Sequence, residues 1–227
     1  ALVAVRYGLK LHSDMDYTTL QSSIISTLNK SLEPSKMQNI KVGTIVDVFR
    51  DIRSNYDPGA EAIKIFVDNV NAISESVNSS HWRGEDVMAI FFNEFNRYKG
   101  KSDNGQVFTP QHIANFMYRL INISPQDSVF DGTCGSGTFL TNSMSNMITA
   151  VGGPDTNEAL EIKQNRLYGI EFDKTVYALA CANMMIHKDG KTNLELSDTM
   201  SNEAAHWTHD LNYDEHNNLQ KYHITKI

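Results

Sequence analysis

The 227 residues are enough to bury a sizeable hydrophobic core, in one large domain or two small ones. Hydrophobic residues make up 41% of them and charged residues 21%, and no apolar run approaches the roughly 20 residues of a membrane span. The formal net charge of −7 argues against a free-standing nucleic-acid binder, which usually carries a basic face. The two cysteines, Cys134 and Cys181, form neither a disulfide framework nor a metal-ligand spacing, and we therefore expect a cytoplasmic protein.

The N-terminal part of the chain follows a helical pattern. Apolar residues recur at helical spacing in stripes that begin at Tyr17, Val42, Ile63 and Val87. The polar sequence GKSDNG at residues 100–105 then predicts a loop. We therefore expect a helical N-terminal domain over residues 1–104.

From residue 105 onward, short apolar runs alternate with helical patterns. Thr109 is predicted to be the N-cap and Pro110 the first residue of an amphipathic helix. Further helices are predicted near Thr138 and after Asp173. The predicted strands are Ser128–Asp131, Leu167–Glu171 and Asn193–Ser197. This alternation predicts an α/β fold with a parallel, doubly wound sheet over residues 105–227.

A glycine-rich turn, DGTCGSG at residues 131–137, lies where the first predicted strand ends and a helix begins. Glycines at this position let the backbone approach a ligand closely, at the end of the strand where open α/β sheets bind ligands. A phosphate-binding loop would need a lysine that the turn lacks, and a dinucleotide fingerprint would need glycine where Leu140 stands. The remaining pattern, D-x-x-x-G-x-G, predicts that Asp131 accepts hydrogen bonds from an ammonium group and that the glycines accommodate an amino-acid moiety.

A second acidic residue, Glu171, ends the next predicted strand. A carboxylate at this tip can accept hydrogen bonds from both hydroxyls of a ribose, as in nucleotide-binding βαβ units. An amino acid joined to a ribose describes S-adenosylmethionine. The sequence therefore predicts this cofactor.

Residues 86–200 resemble the methylation subunit of type I restriction-modification systems, an N6-adenine DNA methyltransferase. The matching stretches are DVMAIFFNEFNRYKGKSDNGQVFTP, VFDGTCGSGTFL, LYGIEFD and LELSDTM. The resemblance implies a Rossmann-like S-adenosylmethionine-dependent methyltransferase sheet preceded by the helical domain. It also implies a set of cofactor-binding residues. These are Gln106, Val107, Phe108, Thr109 and Pro110 over the methionine part, Asp131, Thr133, Cys134, Gly135, Ser136 and Gly137 in the turn, Glu171 at the ribose and Asp198 near the adenine.

The resemblance further implies a catalytic motif, Asn-Pro-Pro-Tyr/Phe, after the strand that follows Asp198. Its asparagine and a proline carbonyl accept the hydrogens of the adenine amine, and its aromatic ring stacks on the flipped-out base. The last proline in this sequence is Pro154, so residues 199–227 do not contain the motif and no catalytic residue is predicted. A second departure is Gly132, where the family usually has proline.

The partners that the resemblance implies are DNA, a specificity subunit, a second methylation subunit and a restriction subunit. Two other functions stay open. Methyltransferases that act on RNA or on protein glutamine share the cofactor half, and the missing motif is compatible with a catalytically inactive cofactor-binding subunit.

Two further groups of residues suggest chemistry that we do not expect. His206, His209 and Asp210 could suggest a metal site, but a solvated acidic loop is the better interpretation, without a metal. Cys134 lacks a nearby histidine in the sequence and is expected to be a small packing residue rather than a nucleophile.

Overall fold

A computed structural model describes residues 1–36, 47, 59–78, 109–187 and 193–227. The chain separates into two compact units, Ala1–Trp82 and Arg83–Ile227. The predicted boundary between residues 104 and 105 lies outside the described residues, and it stays a prediction.

The described part of the first unit is helical. Its helices are α1 (Leu2–Arg6), α2 (Tyr17–Lys36) and α3 (Ala60–Asn78). Residues spaced along one face of α3, namely Ile63, Val67 and Val70, pack with Leu11 and Leu20 in a buried cluster. The predicted stripes that begin at Tyr17 and Ile63 thus lie on helices, whereas those that begin at Val42 and Val87 lie outside the described residues.

The second unit contains a parallel sheet in the order β1-β2-β3. The strands are β1 (Val129–Asp131), β2 (Leu167–Glu171) and β3 (Leu194–Leu196). In their register, Val129 lies opposite Leu167, and Gly169 lies opposite Leu194. The predicted strands are confirmed, with identical bounds for β2 and slightly shorter ends for the other two.

Helices connect and flank these strands. They are α4 (Gln111–Leu120), α5 (Thr138–Ala150), α6 (Asn157–Asn165), α7 (Lys174–Ile186) and α8 (Asn202–Asn212). The starts predicted near Thr138 and after Asp173 are confirmed, and the Asp173 carboxylate caps α7 by accepting from the backbone N–H groups of Thr175 and Val176.

The predicted start of α4 was wrong by one residue. Pro110 is the N-cap, with an extended backbone (φ −60°, ψ 139°), and Gln111 is the first helical residue. Proline fixes φ near −65° but leaves ψ free, so it suits the extended cap as well as the first turn. Its carbonyl accepts from the backbone N–H of Ile113 at 2.9 Å, and Thr109 makes no capping bond.

The core of the second unit lies around the central strand. A Cβ atom added at Gly169 would lie 2.9 Å from side-chain atoms of both Leu140 and Leu194, and 3.0 Å from the Cβ of Cys134. Glycine therefore lets α5 and the turn before it approach the middle of the sheet closely. Leu140, Leu194 and Cys134 are themselves buried.

The C-terminal segment, residues 222–227, which we call the tail, lies along the side of β1 opposite β2. Lys226 forms a parallel bridge with Val129, and its carbonyl accepts from the N–H of Phe130 at 2.8 Å. Where the tail begins, the guanidinium of Arg166 stacks over the ring of Tyr222 at 5.2 Å. The tail thus extends the sheet beyond β1, in the same direction as the other strands.

Candidate cofactor site

The three strands are parallel, so they end at one edge of the sheet, which we call the carboxyl edge. β1 ends at Asp131 and β2 ends at Glu171, and Asp198 follows β3 after one intervening residue. Because Glu171 lies opposite Leu196 in the register, the second acid and the third are close to the same level of the sheet. The fold therefore brings three of the sequence-predicted carboxylates to one edge.

The turn of residues 131–137, which we call the glycine turn, has a backbone that favours glycine. Gly135 and Gly137 have φ values of 56° and 83°, in the left-handed region, and Gly137 is the N-cap of α5. The N–H of Cys134 donates to the carbonyl of Ile170 at 2.9 Å, which attaches the turn to β2. This hydrogen bond holds the turn close to the carboxyl edge.

Both carboxylate oxygens of Glu171 accept hydrogen bonds from backbone N–H groups. Oε2 accepts from Gly135 at 3.0 Å, and Oε1 accepts from Asp173 at 2.7 Å. A carboxylate oxygen can accept more than one hydrogen bond, so each retains acceptor capacity. Glu171 is therefore oriented over the glycine turn and can still accept from hydroxyl groups of a ligand.

Asp131 lies in an electrostatic environment that disfavours its charge. Partial burial raises the pKa of its carboxyl group above the ordinary value, and the nearby charge of Glu171 also raises it, against a hydrogen bond from the N–H of Thr133 at 3.1 Å. A cationic ligand group placed beside these two acids would lower the free energy of their charged forms. The geometry thus favours a ligand that carries an ammonium or sulfonium group.

The loop after β3 is attached to both other loops. The N–H of Ser197 donates to the carbonyl of Glu171 at 3.1 Å, and the hydroxyl of Thr199 donates to the carbonyl of Gly132. Asp198 is exposed, and its carboxylate accepts from the N–H of Met200 at 2.9 Å. Asp198 is thus held at the carboxyl edge with its side chain accessible to a ligand.

Other predicted residues occupy different surroundings. Ser136 is 3% exposed, and its hydroxyl is hydrogen-bonded to that of Thr138 at 3.2 Å. Its side chain is therefore not available to a ligand. Cys134 is 4% exposed, as expected for a packing residue. Burial raises the pKa of its thiol, as do the charges of Asp131 and Glu171, so the reactive thiolate is disfavoured.

The predicted segment over the methionine part is only partly described. Thr109 and Pro110 precede α4, which packs against α5, the helix that begins at the glycine turn. Gln106, Val107 and Phe108 lie outside the described residues.

Two residues that the sequence reasoning missed are apolar and exposed at the carboxyl edge. Phe172, which follows Glu171, is 75% exposed, and Met200, which follows Asp198 by two residues, is 91% exposed. The available signal was an apolar side chain, Phe172, directly after an acid at a predicted strand tip.

The stretch predicted to be an acidic loop is largely helical, so that prediction was wrong for residues 206–212. Ser201 caps α8 by accepting from the N–H of Ala204, and Glu203 lies in the first turn. His209 and Asp210 are exposed and lie 3.5 Å apart. The described residues contain no group of three or more potential metal ligands, and none of their helices combines the length and apolar character needed to cross a bilayer.

Comparison with known proteins gives relatives that act in restriction and modification. The type II restriction enzyme and methyltransferase RM.BcgI of Heyndrickxia coagulans is 37% identical over 164 residues, which are 68% of this chain and 25% of that protein. The type I restriction enzyme EcoEI methylase subunit of Escherichia coli is 22% identical over 133 residues, 59% of this chain and 26% of that protein. This chain therefore spans about a quarter of the length of these relatives.

A solved structure of a type I R-M system has a similar fold. It is 17% identical in sequence and has a TM-score of 0.55, covering 86% of this chain and 38% of that chain. The family model described as N-6 DNA Methylase matches residues 84–218, more than half of this chain. The predicted resemblance to type I methylation subunits is confirmed, and the chain belongs to the N-6 DNA methylase family.

Proposed function

We propose that this chain binds S-adenosylmethionine at the carboxyl edge and contributes the cofactor half of an enzyme that methylates adenine N6 in DNA. The observation that carries the proposal is the contact between Glu171 and Gly135, which joins the predicted ribose acid to the predicted amino-acid turn at 3.0 Å. Membership of the N-6 DNA methylase family supports the reaction. We also propose a Rossmann-like sheet over residues 105–227 and a helical domain before it.

The charges of the site suit this cofactor. Asp131 would accept from the ammonium group, and Glu171 would accept from the ribose hydroxyls. Asp198 would accept from the amine of the adenine ring. The exposed ring of Phe172 would offer an apolar surface to the purine. When bound, the cofactor supplies an electrophilic methyl group, and these side chains fix its orientation.

The segment Gln106–Pro110 would cover the methionine part from the other side. Thr109 and Pro110, the described part of this segment, precede a helix that packs on α5, the helix that begins at the glycine turn. Cys134 and Ser136 would contribute through their backbone, since their side chains are buried, and Gly137 has no side chain. Thr133 is exposed and would also contact the methionine end.

The course of the tail bears on the missing catalytic group. The tail follows β3 in the chain and runs parallel to β1, so its C-terminal end points toward the carboxyl edge. In a chain that continues beyond Ile227, an Asn-Pro-Pro-Tyr/Phe motif would follow at this edge, beside Asp131. Without that motif, we propose that the chain binds the cofactor but does not transfer its methyl group.

The sequence recognition and restriction steps would belong to partners. We propose that a specificity subunit reads the DNA target, and that a second methylation subunit and a restriction subunit complete a type I-like complex in the cytoplasm. The name of one relative, the type I EcoEI methylase subunit, supports such an assembly. The acidic balance of this chain, 27 Asp and Glu against 20 Lys and Arg, also favours DNA contacts supplied by a partner.

Calorimetric titration with S-adenosylmethionine and with S-adenosylhomocysteine tests the cofactor proposal directly. We expect one binding site per chain and no methyl transfer to duplex DNA from radiolabelled cofactor. Transfer should appear in a longer chain that carries the Asn-Pro-Pro-Tyr/Phe motif, together with a specificity subunit. A folded chain that binds neither ligand would contradict the proposal.

The second candidate function is that of an inactive cofactor-binding subunit. It predicts that even the complete complex transfers no methyl group while still binding the cofactor. Methylation of RNA or of a protein glutamine by the complete enzyme, with duplex DNA unmodified, would instead favour the methyltransferases that share the cofactor half.

A further inference from the structure

We infer that Thr199 is a positioning residue that fixes the separation between the two ends of the cofactor site. The inference rests on the proposed function. The hydroxyl of Thr199, which follows β3, donates to the carbonyl of Gly132, which follows β1. Since β2 lies between these strands, the contact spans the central strand of the sheet.

The two residues are also packed closely. A Cβ atom added at Gly132 would lie 3.2 Å from Cγ2 of Thr199 and 3.4 Å from Cε1 of Phe130. Gly132 does not have a left-handed backbone, so its lack of a side chain matters for space rather than for conformation. The missing side chain at Gly132 therefore leaves the space that Thr199 occupies.

The contact joins the backbone directly beside two carboxylates. Gly132 follows Asp131, which is proposed to bind the amino-acid end, and Thr199 follows Asp198, which is proposed to bind the adenine end. The hydrogen bond from Met200 to the carboxylate of Asp198, at 2.9 Å, shapes the turn that presents Thr199. Thr199 thus connects the two loops that hold opposite ends of the ligand.

Each of the two loops is also attached to the end of β2 by a hydrogen bond. Gly135 donates to the side chain of Glu171, and Ser197 donates to its carbonyl. The bond between Thr199 and Gly132 closes a ring of contacts around the carboxyl edge. Preorganisation of this kind strengthens the binding of a ligand that contacts both loops, and leaves a ligand that contacts one loop unaffected.

Two variants and two ligands test this role. Thr199→Ala and Thr199→Ser both remove Cγ2, and they differ only in the hydroxyl group. S-adenosylhomocysteine spans both loops, whereas 5′-methylthioadenosine lacks the amino-acid end. We expect Thr199→Ala to weaken S-adenosylhomocysteine by about three- to tenfold, the effect of one neutral hydrogen bond. Thr199→Ser should bind like the wild type, and 5′-methylthioadenosine should bind all three proteins equally, in calorimetric competition.

A reciprocal pair of variants tests the packing independently of the hydroxyl. Gly132→Ala places a Cβ against Cγ2 of Thr199, so it should weaken S-adenosylhomocysteine. Adding Thr199→Ser removes that methyl group, and it should restore much of the affinity. If Thr199→Ala does not fold, these two variants still test whether the contact between Thr199 and Gly132 affects ligand affinity.

Three results would overturn the inference while the proposed function stands. They are unchanged affinity in Thr199→Ala, an equal loss for both ligands, and tighter binding of S-adenosylhomocysteine, which would make the contact an obstruction. A folded wild-type protein that does not bind S-adenosylhomocysteine would overturn the proposed function, and the inference with it.

Discussion

The carboxylate of Glu171 accepts a hydrogen bond from the backbone N–H of Gly135 at 3.0 Å, so the acid at the tip of β2 holds the turn that follows β1. The same carboxylate accepts from the N–H of Asp173 at 2.7 Å. Glu171 therefore has two roles in the proposed site. It shapes the glycine turn, and it offers its remaining lone pairs to the ribose.

Glu171→Ala should weaken S-adenosylmethionine by about 1.5–3 kcal/mol, the range for hydrogen bonds to a charged group. The loss should include the ribose contacts and the altered turn, and calorimetry measures it. Glu215→Ala is the matched control, because the Glu215 side chain is 87% exposed and lies in the segment after α8. Unchanged affinity in Glu171→Ala would place the ribose elsewhere.

Asp131→Asn should stabilise the ligand-free protein at pH 7 and at the same time weaken its binding of S-adenosylmethionine. Burial and the charge of Glu171 raise the pKa of Asp131 above its ordinary value of 3.8, so its stabilising contribution is present below pH 3.8 and is lost as the pH rises through the raised pKa. At pH 7, Asn should therefore raise the melting temperature of the ligand-free protein while weakening S-adenosylmethionine. The melting difference should disappear well below pH 3.8, where the carboxyl group is protonated in both the folded and the unfolded protein. A lower melting temperature of the ligand-free variant at pH 7 would contradict the assignment.

Gly169→Ala should destabilise the second unit by about 1–3 kcal/mol, the usual cost of overpacking a core. The added Cβ would lie 2.9 Å from atoms of Leu140 and of Leu194, in the middle of the sheet. Urea denaturation measures the loss. Gly59→Ala is the control, since no atom of the described residues lies within 4 Å of its Cβ position, and its effect should stay below about 1 kcal/mol. Equal effects of the two substitutions would show that the sheet relaxes around the extra methyl group.

Thr225→Val should loosen the tail and cost about 1–2 kcal/mol at pH 7, because the Thr225 hydroxyl accepts from the N–H of Ser128 and donates to Asp127. Thr225→Ser keeps both bonds and should cost much less. Burial acts to raise the pKa of Asp127, but hydrogen bonds from Ser124 and Thr225 and the charge of Lys226 outweigh it, so the pKa is lowered.

A lowered pKa means that this carboxylate stabilises the fold above its ordinary value of 3.8, and that the contribution is lost as the pH falls through the lowered pKa. The difference between Thr225→Val and the wild type should therefore shrink in acid denaturation profiles. A difference that is the same at pH 7 and pH 3 would remove Asp127 from the explanation.

The parts of the fold that the sequence predicted are those with strong local signals. β2 had the same bounds in sequence and structure, because a run of buried residues ends at an acid and a helix cap follows. Helix α8 was missed because its surface is polar and only Ala204 is buried, so that periodicity was weak.

Contacts between residues that are distant in the sequence could not be predicted from local sequence patterns. The bond from Thr199 to Gly132 joins residues 67 positions apart, and the bond from Ser128 to Thr225 joins residues 97 positions apart. The short tail has no pattern of its own that indicates which strand it pairs with. Glycine spacing and terminal acids were enough to predict the carboxylates at the edge, but not the exposed ring of Phe172 beside them.

The pairing of the tail gives the sheet a spatial order of tail-β1-β2-β3, although β1 comes first along the chain. The chain therefore winds outward from β1 through β2 to β3, and then returns to the opposite side of β1. In open α/β sheets, the point where the strand order reverses opens a crevice at the carboxyl ends, since successive connections leave in opposite directions. The glycine turn lies at that topological switch point, so the course of the backbone by itself predicts a ligand-binding crevice at Asp131.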